Sequence, residues 1–233
     1  MMFASGALLC AVSCKPGKKE DKATVPMQFT CYPARDSISI DGEINKTEWA
    51  DADSILVYDD SLRIPNRIVV RSLWDKKFLY FSFDVKDSNL LSIQTALDHP
   101  LLAKDDIVEF LIDTKNDKDS CWDENDIIYH INLAGQKKDD RGTAACRSDA
   151  KWNGIANISV KHFGTVNDTS DIDKGYAVEV AVPWTEIELQ PKDALVMGVN
   201  FGGQSDGVFF DWVDAWPFRQ PFAFGNLKLK NAK

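Results

Sequence analysis

The 233-residue chain has no HExxH, Walker A, GxGxxG or GxSxG motif, no CxxC pair and no Cys/His cluster at zinc spacing. Metalloprotease chemistry, phosphate cradling, dinucleotide binding, a nucleophile elbow and structural zinc therefore have no support in it. Basic residues are outnumbered, 27 Lys and Arg against 36 Asp and Glu, for a net charge of -9. That balance argues against nucleic acid, because phosphate binding needs clustered Lys and Arg. No 20–50-residue repeat and no long amphipathic helix can be found, which removes solenoids and helical bundles. The apolar run from Met1 to Cys14 is shorter than the ~20 residues a membrane-spanning helix needs.

What the chain does contain is 44% hydrophobic residues, enough for a sizeable core without help from disulfides or metals. They fall in short β-branched and aromatic runs separated by polar turns. Leu79, Phe81, Phe83 and Val85 alternate onto one face. Arg67 to Trp74 precedes them across Asp75-Lys76-Lys77, a hairpin pattern. Ile107 to Asp113 puts Val108, Phe110 and Ile112 on one face and Ile107, Glu109 and Leu111 on the other. Ile127 to Leu133 puts Tyr129, Ile131 and Leu133 together, with Ile128, His130 and Asn132 opposite. Tyr176 to Val182, Leu195 to Phe201, Val208 to Trp212 and Phe224 to Leu229 complete the strand candidates. A helical turn is expected at Pro183-Trp184-Thr185, with Thr185 as cap. The pattern predicts an all-β, antiparallel β-sandwich with few short helical turns.

Residues Met1 to Cys14 suit the hydrophobic region of a secretory signal, and Ala11-Val12-Ser13-Cys14 resembles the lipobox of bacterial lipoproteins. That resemblance implies lipidation at Cys14, an exported protein, and a lipid anchor in the cell envelope, at the outer membrane. Residues 15–30 read as a flexible tether. Their Lys19-Glu20-Asp21 cluster is similar to surface-export signals of Bacteroidetes lipoproteins. The globular domain is then expected over 31–233. Cys31, Cys121 and Cys146 lie within it. An exported domain would join two of them, with Cys121–Cys146 the preferred pair; three reduced thiols is the other reading.

Glu109 stands out as a carboxylate mid-strand between Ile107 and Leu111, costly if buried without partners. If its strand pairs with the next, Glu109 and His130 share a face, and together they accept and donate hydrogen bonds of the kind sugar hydroxyls need. The loop between those strands, DTKNDKDSCWDEND, is dense in carboxylates, and Asp113, Asp117, Asp123 and Asp126 are candidate Ca²⁺ ligands. A solvated acidic hairpin loop is the plainer reading. Seven tryptophans are present; flat rings stack on pyranose C–H faces, and Trp216 sits in a polar-aromatic, proline-bearing loop. A glycosidase pair of Glu109 with Glu179 is the catalytic alternative.

Six segments taken in order resemble family 9 carbohydrate-binding modules. They are Ile40-Asp41-Gly42-Glu43-Ile44 with Glu48-Trp49; Leu73-Trp74-Asp75, Leu79-Tyr80 and Val85-Lys86-Asp87; Asp105 to Asp113; Gly175 to Glu179 with Pro183-Trp184; Gly198-Val199-Asn200; and Phe224 to Leu229. The resemblance runs from about residue 36 to 230. It implies a β-sandwich, bound calcium, and a glucan or xylan chain end clamped between two tryptophans. Carried over by position, the family's acidic contact falls on Glu109 and its arginine contact on His130. One clamp tryptophan falls near Phe218, or on Trp216 with a two-residue shift. The other falls on Ala103, with Trp122 as a candidate replacement. The expectation is a non-catalytic saccharide-binding lipoprotein working beside polysaccharide-degrading enzymes. The alternatives are a glycoside hydrolase, a haem-binding redox sandwich using Met197 and His130, and a domain that binds protein.

Overall fold

A computed structural model describes residues 27–58, 67–213 and 219–231. Cys14, the signal-like segment and all but the last residues of the expected tether lie outside them, as do Trp216 and Phe218. Among the described residues thirteen strands form one curled, continuous sheet whose two halves face each other.

The chain enters through β1 (Gln28–Pro33) and β2 (Asp53–Val57), then makes the expected hairpin of β3 (Arg67–Trp74) and β4 (Phe78–Lys86). After a 3₁₀ turn at Leu102–Lys104 come β5 (Ile107–Asp113), β6 (Asp126–Asn132), β7 (Lys137–Gly142) and the two-residue β8 (Ser148–Asp149). Then follow β9 (Asn157–His162), β10 (Tyr176–Pro183), β11 (Val196–Ser205) and β12 (Val208–Asp211). A second 3₁₀ turn, Pro221–Ala223, leads into β13 (Gly225–Leu229). One half has the order β8-β7-β6-β5-β11-β13-β1, with β12 beside β11. The other has β1-β3-β4-β10-β9, with β2 beside β3.

Two boundaries differ from the sequence reading. The expected tether ending at residue 30 is interrupted, because Gln28, Phe29 and Thr30 already pair with Asn226, Leu227 and Lys228. Phe29 is buried there, and leaving such a ring exposed would forgo roughly 1.5–3 kcal/mol. The sandwich is also not wholly antiparallel. Strand β1 runs parallel to β13 on one side and to β3 on the other, and so joins the two halves. At Pro183 the chain turns without forming a helix: Glu186 N–H donates to the Pro183 carbonyl at 2.9 Å and Leu189 N–H to that of Trp184 at 3.1 Å.

Alternation fills the space between the halves. Phe81 and Phe83 from β4, Phe110 from β5, Tyr129 from β6 and Phe201 from β11 interlock, with Phe110 stacked on Tyr129 at 4.9 Å. Removing one such ring, as in Phe110→Ala, is a cavity mutation costing ~3–5 kcal/mol.

The outer face of the β3-β4-β10 half is covered by the segment before β2. Ile38 and Trp49 pack there on Leu73, Tyr80 and Ala181. Glu179, also on that face, pins the segment. Its Oε1 accepts the Trp49 indole N–H at 2.9 Å, and its Oε2 accepts the backbone N–H groups of Asp41 and Gly42 at 3.2 and 3.0 Å. Gly42 has φ +85°, and a side chain there would also crowd the backbone of Val160 and Lys161. The Asp41-Gly42, Trp49 and Glu179 motifs, far apart in sequence, thus make one structural knot.

Candidate functional site

On the half built from β7, β6, β5, β11 and β12, the core-facing residues are Tyr129, Ile131, Val108, Phe110, Met197, Val199, Phe201 and Phe210. The residues between them point outward. Register places Lys138, His130, Glu109, Gly202 and Asp211 in a single row across the five strands. One step along lie Asp140, Ile128, Leu111 and Asn200. Glu109 and His130 are therefore direct cross-strand neighbours.

Their chemistry is tightly arranged. Glu109 is wholly buried, and its Oε2 lies 2.9 Å from His130 Nε2. A guanidinium completes the group: Arg219 Nη2 donates to the same Oε2 at 2.8 Å and lies 3.2 Å from His130 Nε2. His130 Nδ1 lies 3.3 Å from the Lys138 carbonyl. A ring protonated on both nitrogens would donate to Lys138 and Glu109 at once. Burial pushes the Glu109 carboxyl up. The His130 hydrogen bond and the charges of His130 and Arg219 outweigh it, so the group is held below the usual carboxylate range. The other carboxylate oxygen, Oε1, is buried and has no hydrogen-bond partner among the described residues.

Arg219 is the site residue that sequence reasoning missed. Position alone carried the arginine role to His130, whereas the guanidinium arrives from the connection between β12 and β13. It lies over the Phe209 ring, 5.6 Å from its centroid. The only signal was an isolated cation between an aromatic stretch and Pro221. Its backbone is clipped from the acidic loop, because the Trp122 indole N–H donates to the Arg219 carbonyl. Trp122 is half-buried against Leu111, Ile128 and Phe224, so it lies on the same outer face as Glu109.

The acidic loop is tied to this segment at two more points. Phe222 N–H donates to the Asp119 carbonyl at 3.2 Å, and Lys118 Nζ donates to the Phe224 carbonyl at 2.6 Å. Cys121 and Cys146, with Cα atoms 5.3 Å apart, are joined by a disulfide that ties the loop to the turn after β7; Cys31 is a buried thiol. Of the candidate ligand set, Asp117 and Asp123 converge, but with Asp119 as third member: their ligand atoms lie within 4.8 Å of one another. Asp113 instead turns its oxygens onto the N–H groups of Asn116 and Lys118. Asp126 accepts from Asp123 N–H with Oδ2, and its buried Oδ1 has no partner among the described residues. Burial and the neighbouring Asp113, Asp123 and Asp117 push the Asp126 carboxyl up to about 7. A set of hard oxygens at this density suits Ca²⁺.

Two alternatives fail on geometry. Glu109 and Glu179 lie on the outer faces of opposite halves, with the core between them, so they cannot flank one glycosidic bond. Met197 points into the core while His130 points out of the same half, so they cannot share a haem iron.

The carbohydrate family 9 binding domain-like family matches residues 39–232. The chain belongs to this family. Endo-1,4-beta-xylanase A of Thermotoga neapolitana is 30% identical over 210 residues, 82% of this chain but 17% of the xylanase. Exoglucanase XynX of Acetivibrio thermocellus is 30% identical over 168 residues, 68% of this chain and 13% of the exoglucanase. The chain thus spans less than a fifth of these relatives. Among solved structures, a family 9 module of Caldicellulosiruptor kristjanssonii in complex with cellotriose is similar, with TM-score 0.65, 20% identity, and coverage of 88% of this chain and 95% of that one. A protein of Bacteroides uniformis has TM-score 0.66 and 14% identity, covering 88% of this chain and 100% of that one. At these identities the structural likeness establishes the fold.

Within the family 9 frame, the Ala103 clamp position offers no ring. Its carbonyl accepts the Gln204 side-chain amide, which draws the 3₁₀ turn over the end of β11. The other clamp position, on Trp216 or Phe218, lies outside the described residues. The family's Asp87, Asp105 and Asp106 are buried and hold the β4–β5 connection. Asp106 accepts Leu91 N–H at 2.6 Å, Asp87 the Ser205 hydroxyl at 2.6 Å, and Asp105 the Asn132 amide at 2.9 Å.

Proposed function

We propose that this chain is a non-catalytic binding module for glucan- or xylan-type saccharides. The observation that carries the reading is Glu109 Oε1, a buried carboxylate oxygen lacking a donor among the described residues, beside a guanidinium and an imidazole. An unsatisfied buried acceptor costs ~1–3 kcal/mol, more when charged, and a sugar hydroxyl is a donor of the right size to meet it. Trp122, half-buried over the covered Leu111 and Ile128, would meet the C–H face of a pyranose, and Arg219 would donate to ring or hydroxyl oxygens. Isothermal titration with glucose, cellotriose and xylotriose tests this: binding is expected for native protein and a loss of about tenfold or more for Glu109→Gln. Absence of heat with all three, with and without Ca²⁺, rejects the reading.

Ca²⁺ at Asp117, Asp119 and Asp123 would neutralise the crowded carboxylates and stiffen the loop that holds Trp122 and Arg219. Addition of Ca²⁺ is then expected to raise the melting temperature of native protein but not of Asp117→Asn/Asp123→Asn. The module would be carried by an exported lipoprotein anchored through Cys14, with polysaccharide-degrading enzymes as working partners. Fatty-acid labelling lost in Cys14→Ser checks the anchor.

A further inference from the structure

The acidic loop between β5 and β6 is a strut with two feet. One foot stands on the segment that delivers Arg219. The Trp122 indole N–H donates to the Arg219 carbonyl, Phe222 N–H donates to the Asp119 carbonyl at 3.2 Å, and Lys118 Nζ reaches the carbonyls of Phe224 and Gly225 at 2.6 and 3.3 Å. The other foot stands on the end of β7. There Arg141 Nε donates to the Glu124 carbonyl at 2.6 Å. The Asp123 backbone passes so close over Gly142 that a Cβ at that glycine would lie 2.0 Å from the Asp123 oxygen. The Cys121–Cys146 bridge fastens this second foot covalently, one residue away from Trp122. Cys121 is half-buried and Cys146 exposed, so the bridge is open to a reagent in solution.

Resting on the saccharide reading above, we propose that the Cys121–Cys146 bridge and Gly142 are positioning elements for binding: they hold Trp122 where it seats the Arg219 guanidinium on Glu109. Arg219 comes from the connection between β12 and β13, and Trp122 fixes its backbone from outside that connection. Trp122 is in turn only as well placed as the loop that carries it. A cross-link restricts that loop in every conformation the chain visits, whereas its hydrogen bonds compete with water. Gly142 matters for a different reason, because only a residue without Cβ lets the Asp123 backbone settle on β7. A site that is competent only with Arg219 seated loses affinity in proportion to the fraction of molecules in which it is not.

The test is titration of the full chain with cellotriose before and after reduction by dithiothreitol. The dithiol passes two electrons and two protons to the bridge, which leaves two thiols on the protein and a cyclic disulfide on the reagent. Affinity is expected to fall about three- to tenfold on reduction, as the seated fraction drops. Cys121→Ser/Cys146→Ser should show the same loss and no further response to the reagent. Gly142→Ala, which keeps both cysteines, should weaken binding in the same range, and it carries the test if the reduced protein melts below the titration temperature. The deciding readout is the Arg219→Ala background, where opening the bridge should change affinity by less than about twofold, because the group being positioned is gone. In sugar-free protein, amide hydrogen exchange over residues 219–225 should quicken when the bridge opens. Unchanged affinity or unchanged exchange in the reduced, folded protein, or an equal loss in Arg219→Ala, overturns the positioning role and leaves the saccharide reading standing. Silence of the native protein toward every sugar overturns both.

Discussion

Glu109 and Glu179 are the same residue type in the same sequence setting, a carboxylate between apolar neighbours in mid-strand, and both are fully buried. They sit on the outer faces of opposite halves of the sandwich. Glu179 gives both oxygens to N–H donors of its own chain, three bonds that fasten the segment before β2. Glu109 places an imidazole and a guanidinium on one oxygen and leaves the other without a donor among the described residues. The difference teaches that burial of an acid does not mark a binding site; incomplete satisfaction does. A finished set of partners belongs to the fold, while an unfinished set asks for a ligand.

The sharpest way to break that comparison is to remove each carboxylate. Glu179→Ala orphans three donors at ~1 kcal/mol or more each, so a loss of about 3 kcal/mol and a fall in melting temperature of about 6–12 °C are expected. Calorimetry or circular dichroism melting reads this directly, and a melt within 2 °C of native would refute the structural role. Glu109→Gln keeps the shape and should change stability by only about 1 kcal/mol, while affinity for cellotriose falls about tenfold or more. If instead Glu109→Gln unfolds the protein and Glu179→Ala only weakens binding, the two roles have been assigned the wrong way round. A smaller effect is expected of Arg219→Lys, which retains charge but loses the flat contact with Phe209 and the forked donor geometry. A three- to tenfold loss of affinity with stability within about 0.5 kcal/mol is the expected result of that titration.

How much of this was legible beforehand follows from which contacts are local. The alternation in β4, β5, β6 and β10 was readable because each strand buries one face, and the shared face of Glu109 and His130 was readable once those two successive strands were taken to pair. Arg219 was not readable. It reaches Glu109 across 110 positions of sequence, from a connection without periodicity. The shift from Asp113 to Asp119 in the carboxylate cluster escaped for the opposite reason. The loop's turns decide it, and at Asn116 and Lys118 the backbone adopts positive φ, a choice that composition does not announce. The parallel placement of β1 was hidden as well, because a six-residue strand carries no mark of its partner's direction.

The subtlest test uses pH. Burial raises the Glu179 carboxyl above its ordinary 4.5, and the Trp49, Asp41 and Gly42 hydrogen bonds only partly offset this. For Glu109 burial acts in the same direction, but His130 and Arg219 reverse it, and the group is held below 4.5. Linkage then gives opposite signs. Glu109 contributes stability that is present above 4.5 and lost as pH falls through its depressed value. The contribution of Glu179 is complete below 4.5 and is lost as pH rises through its elevated value. Glutamine mimics the protonated form of each. The deficit of Glu109→Gln should therefore be largest near pH 7 and shrink toward pH 3, whereas that of Glu179→Gln should be largest near pH 3 and shrink toward pH 7. Melting temperatures of both variants and native protein, taken at half-unit steps over that window, give the two slopes. Slopes of the same sign would mean that His130 and Arg219 do not compensate the burial of Glu109, and the asymmetry between the two carboxylates would then lose its electrostatic basis.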